Sequence, residues 1–137
     1  MRMEMTFPGG LAVDAHFQGM TVRTDQPESA GGGGAGPAPF DLFLASVGSC
    51  AAFYALRFCQ QREISTDELG VSLEAIRDAT GKRFETLEIE VRLPPAFPDK
   101  YRQAIVRAID QCAVKRHLVE PPAIEVRTVM LEDATAG

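Results

Sequence analysis

Alternating apolar and polar positions predict strands at both ends of this chain and a hairpin in its second half. Residues 3–24 alternate in short stretches separated by glycine turns, which is typical of a small antiparallel meander. Residues 69–79 and 82–93 alternate on either side of Thr80-Gly81, which indicates a hairpin with one solvated face. Residues 124–129 alternate again and predict a last strand.

The segment from Pro39 to about Gln61 is apolar on nearly every side and predicts a long buried helix. Its only charges are Asp41 and Arg57. About 20 apolar residues also suffice to span a membrane, but small polar residues at 46–49 and the lack of basic anchors at the N-terminal end oppose that interpretation. A single sheet from so short a chain covers one side of such a helix, so we expect burial against a second copy in a homodimer.

A second helix is predicted to begin at Pro98 and Asp99 and to end before Pro121-Pro122. Its apolar stripe at helical spacing comprises Ala104, Ile105, Ala108, Ile109 and Cys112. The order of elements predicts an α+β fold with antiparallel strands, formed by one domain over residues 1–137.

Residues 25–39 form a glycine- and proline-rich loop between the meander and the first helix. Its composition favours a flexible connector. A phosphate cradle is the alternative, but the loop lacks the Gly-Lys-Ser/Thr ending of a P-loop and does not follow a buried parallel strand.

Charge and composition restrict the partners. The net charge is −5, with acidic and basic residues interleaved, so neither nucleic acid nor an anionic membrane is an expected partner. The first ten residues contain no signal-peptide pattern, which predicts a cytoplasmic location. Three scattered cysteines and two histidines supply no metal-ligand spacing, and we expect neither a metal nor a cofactor.

Two cysteines carry the chemistry that the sequence suggests. Cys50 lies within the first helix and Cys112 near the end of the second, so the pair forms a redox-active dithiol if the fold brings the helices together. Lys115 and Arg116, three and four residues after Cys112, are placed to favour its thiolate. Cys59 lies nine residues after Cys50 on the opposite face of the helix, and we expect it to be a core thiol.

Three segments resemble the OsmC/Ohr superfamily over about residues 5–130. They are Thr24-Asp25-Gln26-Pro27 with the glycines after it, the run PAPFDLFLASVGSC at 37–50, and Cys112-Ala-Val-Lys. The resemblance implies an intertwined homodimer with antiparallel sheets packed around two central helices. It implies a thiol peroxidase that reduces organic hydroperoxides or hydrogen peroxide, with Cys50 as the peroxidatic and Cys112 as the resolving cysteine. An external dithiol, in some members a lipoylated protein, would reduce the oxidised pair.

The chain departs from that family at both positions that activate the peroxidatic thiol. Phe40 occupies the position of a glutamate ten residues before Cys50, and Leu11 follows Gly9-Gly10 where the family has an arginine. Arg57 and, more weakly, Arg23 are candidate substitutes, although extension of Arg57 into solvent or pairing with a carboxylate across a dimer is the favoured interpretation. A non-peroxidatic small-molecule-binding or redox-responsive protein is therefore the alternative function.

Aromatic residues of the first helix are candidates for an apolar substrate pocket around Cys50, with core packing as the alternative for each. They are Phe40, Phe43, Phe53 and Tyr54. His16 lies in a strand and His117 at a charged helix end, and both positions favour structural roles.

Overall fold

The N-terminal part of the chain forms the predicted antiparallel meander. In this computed structural model, which describes residues 1–132, β1 (Glu4–Gly9), β2 (Ala12–Phe17) and β3 (Met20–Thr24) pair in the order β1-β2-β3. Gln18 and Gly19 join β2 to β3 with φ values of 50° and 75°, the backbone conformation of a type I′ turn. The turn sets the register, in which Phe17 pairs with Met20.

The loop after β3 is built around one buried carboxylate. Asp25 accepts hydrogen bonds from the backbone N–H groups of Gln26, Gly33 and Ala35 at 2.7, 3.2 and 3.1 Å. A Cβ on Gly32 would lie 1.9 Å from the Gln26 carbonyl oxygen, so only glycine fits there. The loop is therefore an ordered turn, and the prediction of a flexible connector is wrong. An internal carboxylate also occupies the N–H groups that a phosphate would need.

The first helix matches its prediction closely. α1 spans Pro39–Gln61, with proline in its first turn and the Asp41 carboxylate accepting the Ala38 N–H at 3.3 Å. With 23 residues and a mean hydropathy of 1.6 over its most apolar window, α1 is long and apolar enough to cross a membrane. Core helices of soluble proteins also pass this test. Only 28% of its most apolar window is buried within one chain.

The predicted hairpin is confirmed. β4 (Gly70–Arg77) and β5 (Phe84–Arg92) pair antiparallel in a separate two-stranded sheet. In the turn between them, the Asp78 carboxylate accepts hydrogen bonds from the N–H and hydroxyl of Thr80. Apolar side chains alternate toward α1 along both strands, while the glutamates face solvent.

The second predicted helix is broken in two. After a 3₁₀ turn, α2 spans Arg102–Ile109, and α3 spans Ala113–Val119. Between them, Cys112 has an extended backbone with φ −49° and ψ 127° and stands at the N-cap position of α3. The prediction of one continuous helix through Cys112 is therefore wrong. The carbonyl of Cys112 accepts the first hydrogen bond of α3 from the Arg116 N–H, and its side chain is buried.

The predicted last strand is also absent. Residues 120–130 have no regular secondary structure, and Ile124 and Val126 are 88% and 91% exposed. A strand needs a neighbour for its backbone hydrogen bonds, and the described part of a single chain offers this segment none. The core lies between α1 and α2, where Ala55, Phe58, Cys59, Ile105 and Ile109 pack with Phe97. The fold is α+β with antiparallel strands, as predicted.

Candidate thiol site

The break between α2 and α3 brings Cys112 to the side of α1 that carries Cys50. Both thiols are free, and Cys50 lies close enough to Cys112 to raise the pKa of the Cys112 thiol. Cys50 is partly buried, whereas Cys112 is only 1% exposed. The pair that the sequence predicted as a dithiol is therefore assembled within one chain.

Burial is the main cause that raises the pKa of the Cys112 thiol, and Cys50 raises it further. The backbone N–H groups of Lys115 and Val114, in the first turn of α3, act in the opposite direction but do not reverse the shift. Cys112 therefore keeps its proton at neutral pH. A protonated neighbour can donate its S–H to Cys50.

The side chains of Lys115 and Arg116, which were expected to favour the Cys112 thiolate, are directed elsewhere. The Lys115 ammonium binds the Asp110 carboxylate, and Arg116 is exposed. The expectation that Lys115 and Arg116 favour the Cys112 thiolate is therefore wrong, since the pKa of that thiol is raised. The spacing was right for contact along a helix, but the chain is extended at Cys112 and α3 only begins after it.

A cavity of about 370 Å³ is lined by Cys112, whereas Cys50 is not among its lining residues. This volume lies within the range of about 300–1,000 Å³ that is common for small-molecule sites. Its walls are mainly apolar, with the Asp110–Lys115 ion pair as the polar part. The apolar lining comprises Val47, Ala51, Leu87, Ile89, Val91, Val106, Ile109, Cys112 and Leu118.

The four aromatic residues predicted to form the pocket are divided. Phe40 and Phe43, with ring centroids 5.2 Å apart, line a second hollow at the end of the hairpin. Phe53 is half exposed and meets Tyr54 edge to face at 5.6 Å, and Tyr54 packs against the core. The sequence analysis did not name the residues that line the cavity beside Cys112. The alternation of Leu87, Ile89 and Val91 in β5 and the place of Ile109 in the apolar stripe of α2 nevertheless marked these residues as inward-facing.

Of the two candidate arginines, one is held by a carboxylate and the other is exposed. Arg23 binds Asp14 through two hydrogen bonds of 2.8 Å across β2 and β3, and this pair raises the pKa of Arg23. Arg57 is exposed on α1. Leu11, in the position of the family arginine, is half exposed and approaches Gly31.

The remaining cysteine and the histidines have structural positions. Cys59 is fully buried in the core, and burial raises the pKa of its thiol. His16 lies between the hydroxyls of Thr6 and Thr21 at 2.7 and 3.1 Å. His117 donates from Nδ1 to the Ala113 carbonyl at 2.7 Å, in keeping with its helical position. Over residues 1–132, no group of His, Cys, Asp or Glu side chains has an arrangement suited to a metal ion.

The described chain is an α+β fold in which the long helix α1 carries Cys50 close to the buried Cys112. The family model of OsmC-like proteins matches residues 31–127, and the chain belongs to this family. The resemblance found in the sequence is thereby confirmed. No curated protein matches the sequence.

Solved structures show the same fold at low sequence identity. A protein of Psychrobacter arcticus described as an osmotic stress induced and detoxification response protein aligns with a TM-score of 0.68 and 22% identity, over 83% of this chain and 85% of its own. A protein of Legionella pneumophila described as an organic hydroperoxide resistance protein and predicted redox protein aligns with a TM-score of 0.53 and 18% identity, over 86% of this chain and 89% of its own.

Proposed function

We propose that this protein is a thiol peroxidase that reduces organic hydroperoxides, or hydrogen peroxide, through a Cys50–Cys112 dithiol–disulfide cycle. The observation that carries the proposal is the proximity of Cys50 to Cys112, the latter of which lines an apolar cavity. Membership of the OsmC-like family supports it, and so does the hydroperoxide-resistance description of the Legionella pneumophila structure. The apolar walls suit the organic group of an alkyl hydroperoxide.

The different environments of the two thiols divide their roles. Cys50 is the more accessible and is the peroxidatic residue of the proposal. Its thiolate attacks one peroxide oxygen, so that an S–O bond forms, the O–O bond breaks, and the departing alkoxide takes a proton and leaves as the alcohol. Cys50 is then a sulfenic acid.

Cys112 completes the cycle as the resolving residue. Its raised pKa keeps it protonated while Cys50 reacts. Its sulfur then attacks the Cys50 sulfenic acid, an S–S bond forms, and the hydroxyl group leaves with the thiol proton as water. An external dithiol, such as that of a lipoylated protein, reduces the disulfide, becomes a disulfide itself and returns a proton to each cysteine.

We further propose that the protein acts as a cytoplasmic homodimer. Three surfaces support a second copy: the largely uncovered α1, the exposed apolar segment 124–131, and an apolar face of the meander where Met5 and Met20 are each 51% exposed. Patches of this extent on a soluble protein mark an interface. In the dimer, Arg57 is the preferred candidate to stabilise the Cys50 thiolate, because it is exposed and shares a face of α1 with Cys50.

A non-peroxidatic binding or redox-responsive protein is the second candidate. Two observations favour it: Phe40 stacks on Phe84 where the family has its glutamate, and Asp14 already holds Arg23. A dithiol without an activating cation still oxidises, but slowly.

The deciding experiment measures consumption of cumene hydroperoxide with dihydrolipoamide as reductant. We expect Cys50→Ser to lose turnover. We expect Cys112→Ser to react about once per protomer and to accumulate a sulfenic acid that dimedone labels. Cys59→Ala is the matched control, since it removes a thiol from the same helix and should retain turnover. Equal background rates for the wild type and Cys50→Ser, with reduced thiols and an intact fold, would reject the peroxidase and leave the binding protein.

A further inference from the structure

A second hollow, of about 520 Å³, lies between the start of α1 and the turn of the β4–β5 hairpin. Neither Cys50 nor Cys112 is among the residues that line it within the described chain. Its lining comprises the aromatic side chains of Phe40, Phe43 and Phe84, the cations Arg77, Lys82 and Arg83, and Leu87.

The aromatic rings form a layered apolar wall. Phe40 stacks on Phe84 with centroids 5.4 Å apart and an interplanar angle of 18°, and Phe43 meets Phe40 at 5.2 Å. Phe40 nevertheless stays half exposed, so part of the wall is open to a ligand. A planar aromatic group can stack there in the offset or edge-to-face geometry that rings prefer.

The cations make the rim of the hollow positive in a chain whose net charge is −5. Arg77 already has a fixed position, since its guanidinium lies 4.3 Å from the Phe84 centroid and donates to the Gly81 carbonyl. Within residues 1–132, none of the three cations forms a salt bridge with a carboxylate. The neighbouring Asp78 binds Thr80 in the turn and does not line the hollow. The positive charge therefore faces the open space uncompensated.

We propose that this hollow is a binding site for an aromatic carboxylate, distinct from the thiol site. Its ring stacks against Phe40 and Phe84, and its carboxylate binds Lys82 and Arg83. Charge complementarity selects an anion, and the aromatic wall selects a flat apolar body. Leu87 lines both this hollow and the thiol cavity, so the two sites share a wall. The ligand meets no thiol and is bound without being oxidised.

The test is a titration of the full chain with 2-naphthoate, followed by calorimetry, with the neutral 2-naphthalenemethanol as the matched ligand. We expect the carboxylate to bind at least about fivefold more tightly, because exposed charge pairs contribute up to about 1 kcal/mol each. Lys82→Gln/Arg83→Gln should remove this preference, and Arg116→Gln, which removes an exposed cation elsewhere, should leave it unchanged. Phe84→Leu should weaken both ligands.

A measurement on the wild type alone avoids dependence on folding of the variants. Affinity for 2-naphthoate should fall as salt is raised from 0.05 to about 0.5 M, while that for the alcohol should not. Equal affinity for the two ligands, an unchanged preference in the double variant, or no saturable binding overturns the proposal. None of these results bears on peroxidase turnover, so the two proposals fail independently.

Discussion

Oxidation of Cys50 and Cys112 to a disulfide should raise the free energy of unfolding by about 2–4 kcal/mol. The bond would join α1 to the break before α3, two positions 62 residues apart in the chain. For a closed loop of that length, the chain-entropy model gives about 4 kcal/mol at 25 °C. Strain reduces this value, and we set the lower limit because Cys50 is held mid-helix while Cys112 stands at a helix start.

The assay compares guanidinium unfolding of the protein kept in excess dithiol with that of protein oxidised by one equivalent of cumene hydroperoxide. The protomer concentration is held fixed, since unfolding of a dimer depends on it. Cys112→Ala is the control that cannot close the loop, and Cys59→Ala is the control that can. We expect stabilisation on oxidation in the wild type and in Cys59→Ala only.

Equal stability of the reduced and oxidised proteins, with the disulfide verified by mass, would refute the loop-closure reasoning. An equal gain in Cys112→Ala would assign the effect to some other oxidation. A covalent dimer on a non-reducing gel would show that the bond forms between protomers, contrary to the proximity of Cys50 to Cys112 within one chain.

Three further outcomes follow from the packing and charges. Ile105→Ala should cost about 2–5 kcal/mol in urea unfolding, since the side chain is fully buried between α1 and α2. Hydrogen bonds from the N–H groups of Ala35 and Gln26 and, less strongly, of Gly33 lower the pKa of the Asp25 carboxyl. The ionised carboxylate therefore stabilises the loop above its unfolded pKa of about 3.9, and this stabilisation is lost as the pH falls through the lower pKa of the folded state. Amide exchange at Gly33 should show protection at pH 6, little at pH 2, and little at either pH in Asp25→Ala. Arg57→Gln should slow peroxide consumption while leaving the oligomeric state intact, and Arg57→Lys should recover part of the rate; a normal rate in Arg57→Gln by stopped flow would assign the cation elsewhere.

The elements that the sequence predicted well are those whose signals are local. α1 combines a long apolar run with Pro39 in its first turn and Asp41 accepting the Ala38 N–H, so both its start and its length are encoded in one segment. The β4–β5 hairpin combines period-two alternation with Asp78 and Gly81 in its turn. No distant residue is needed to specify either element.

The features that were missed depend on contacts between distant segments. The apolar stripe of α2 continues to Cys112, and no glycine or proline marks the break that follows Ile109. The loop after β3 looked flexible because its order comes from one buried carboxylate rather than from its glycines. The separation of Phe53 from Phe40 was accessible from the spacing alone, because 13 residues at about 100° each place them on different faces of α1. Tyr54 shares the face of Phe40 by the same arithmetic, so its different position was not.

The segment at 124–129 has the alternation of a strand and lacks only a partner, just as α1 has the composition of a buried helix and lacks a cover. The missing strand partner and the missing cover are properties of the single chain. A second copy packed with two-fold symmetry would supply both, because in such a dimer each surface that is buried on one protomer is also buried on the other. The same symmetry bears on the chemistry. If the two α1 helices pack antiparallel with the axis between positions 50 and 57, Cys50 of each copy faces Arg57 of the other. In that arrangement the dimer would place a cation beside the thiol, which is why loss of the family arginine at Leu11 does not by itself exclude a peroxidase.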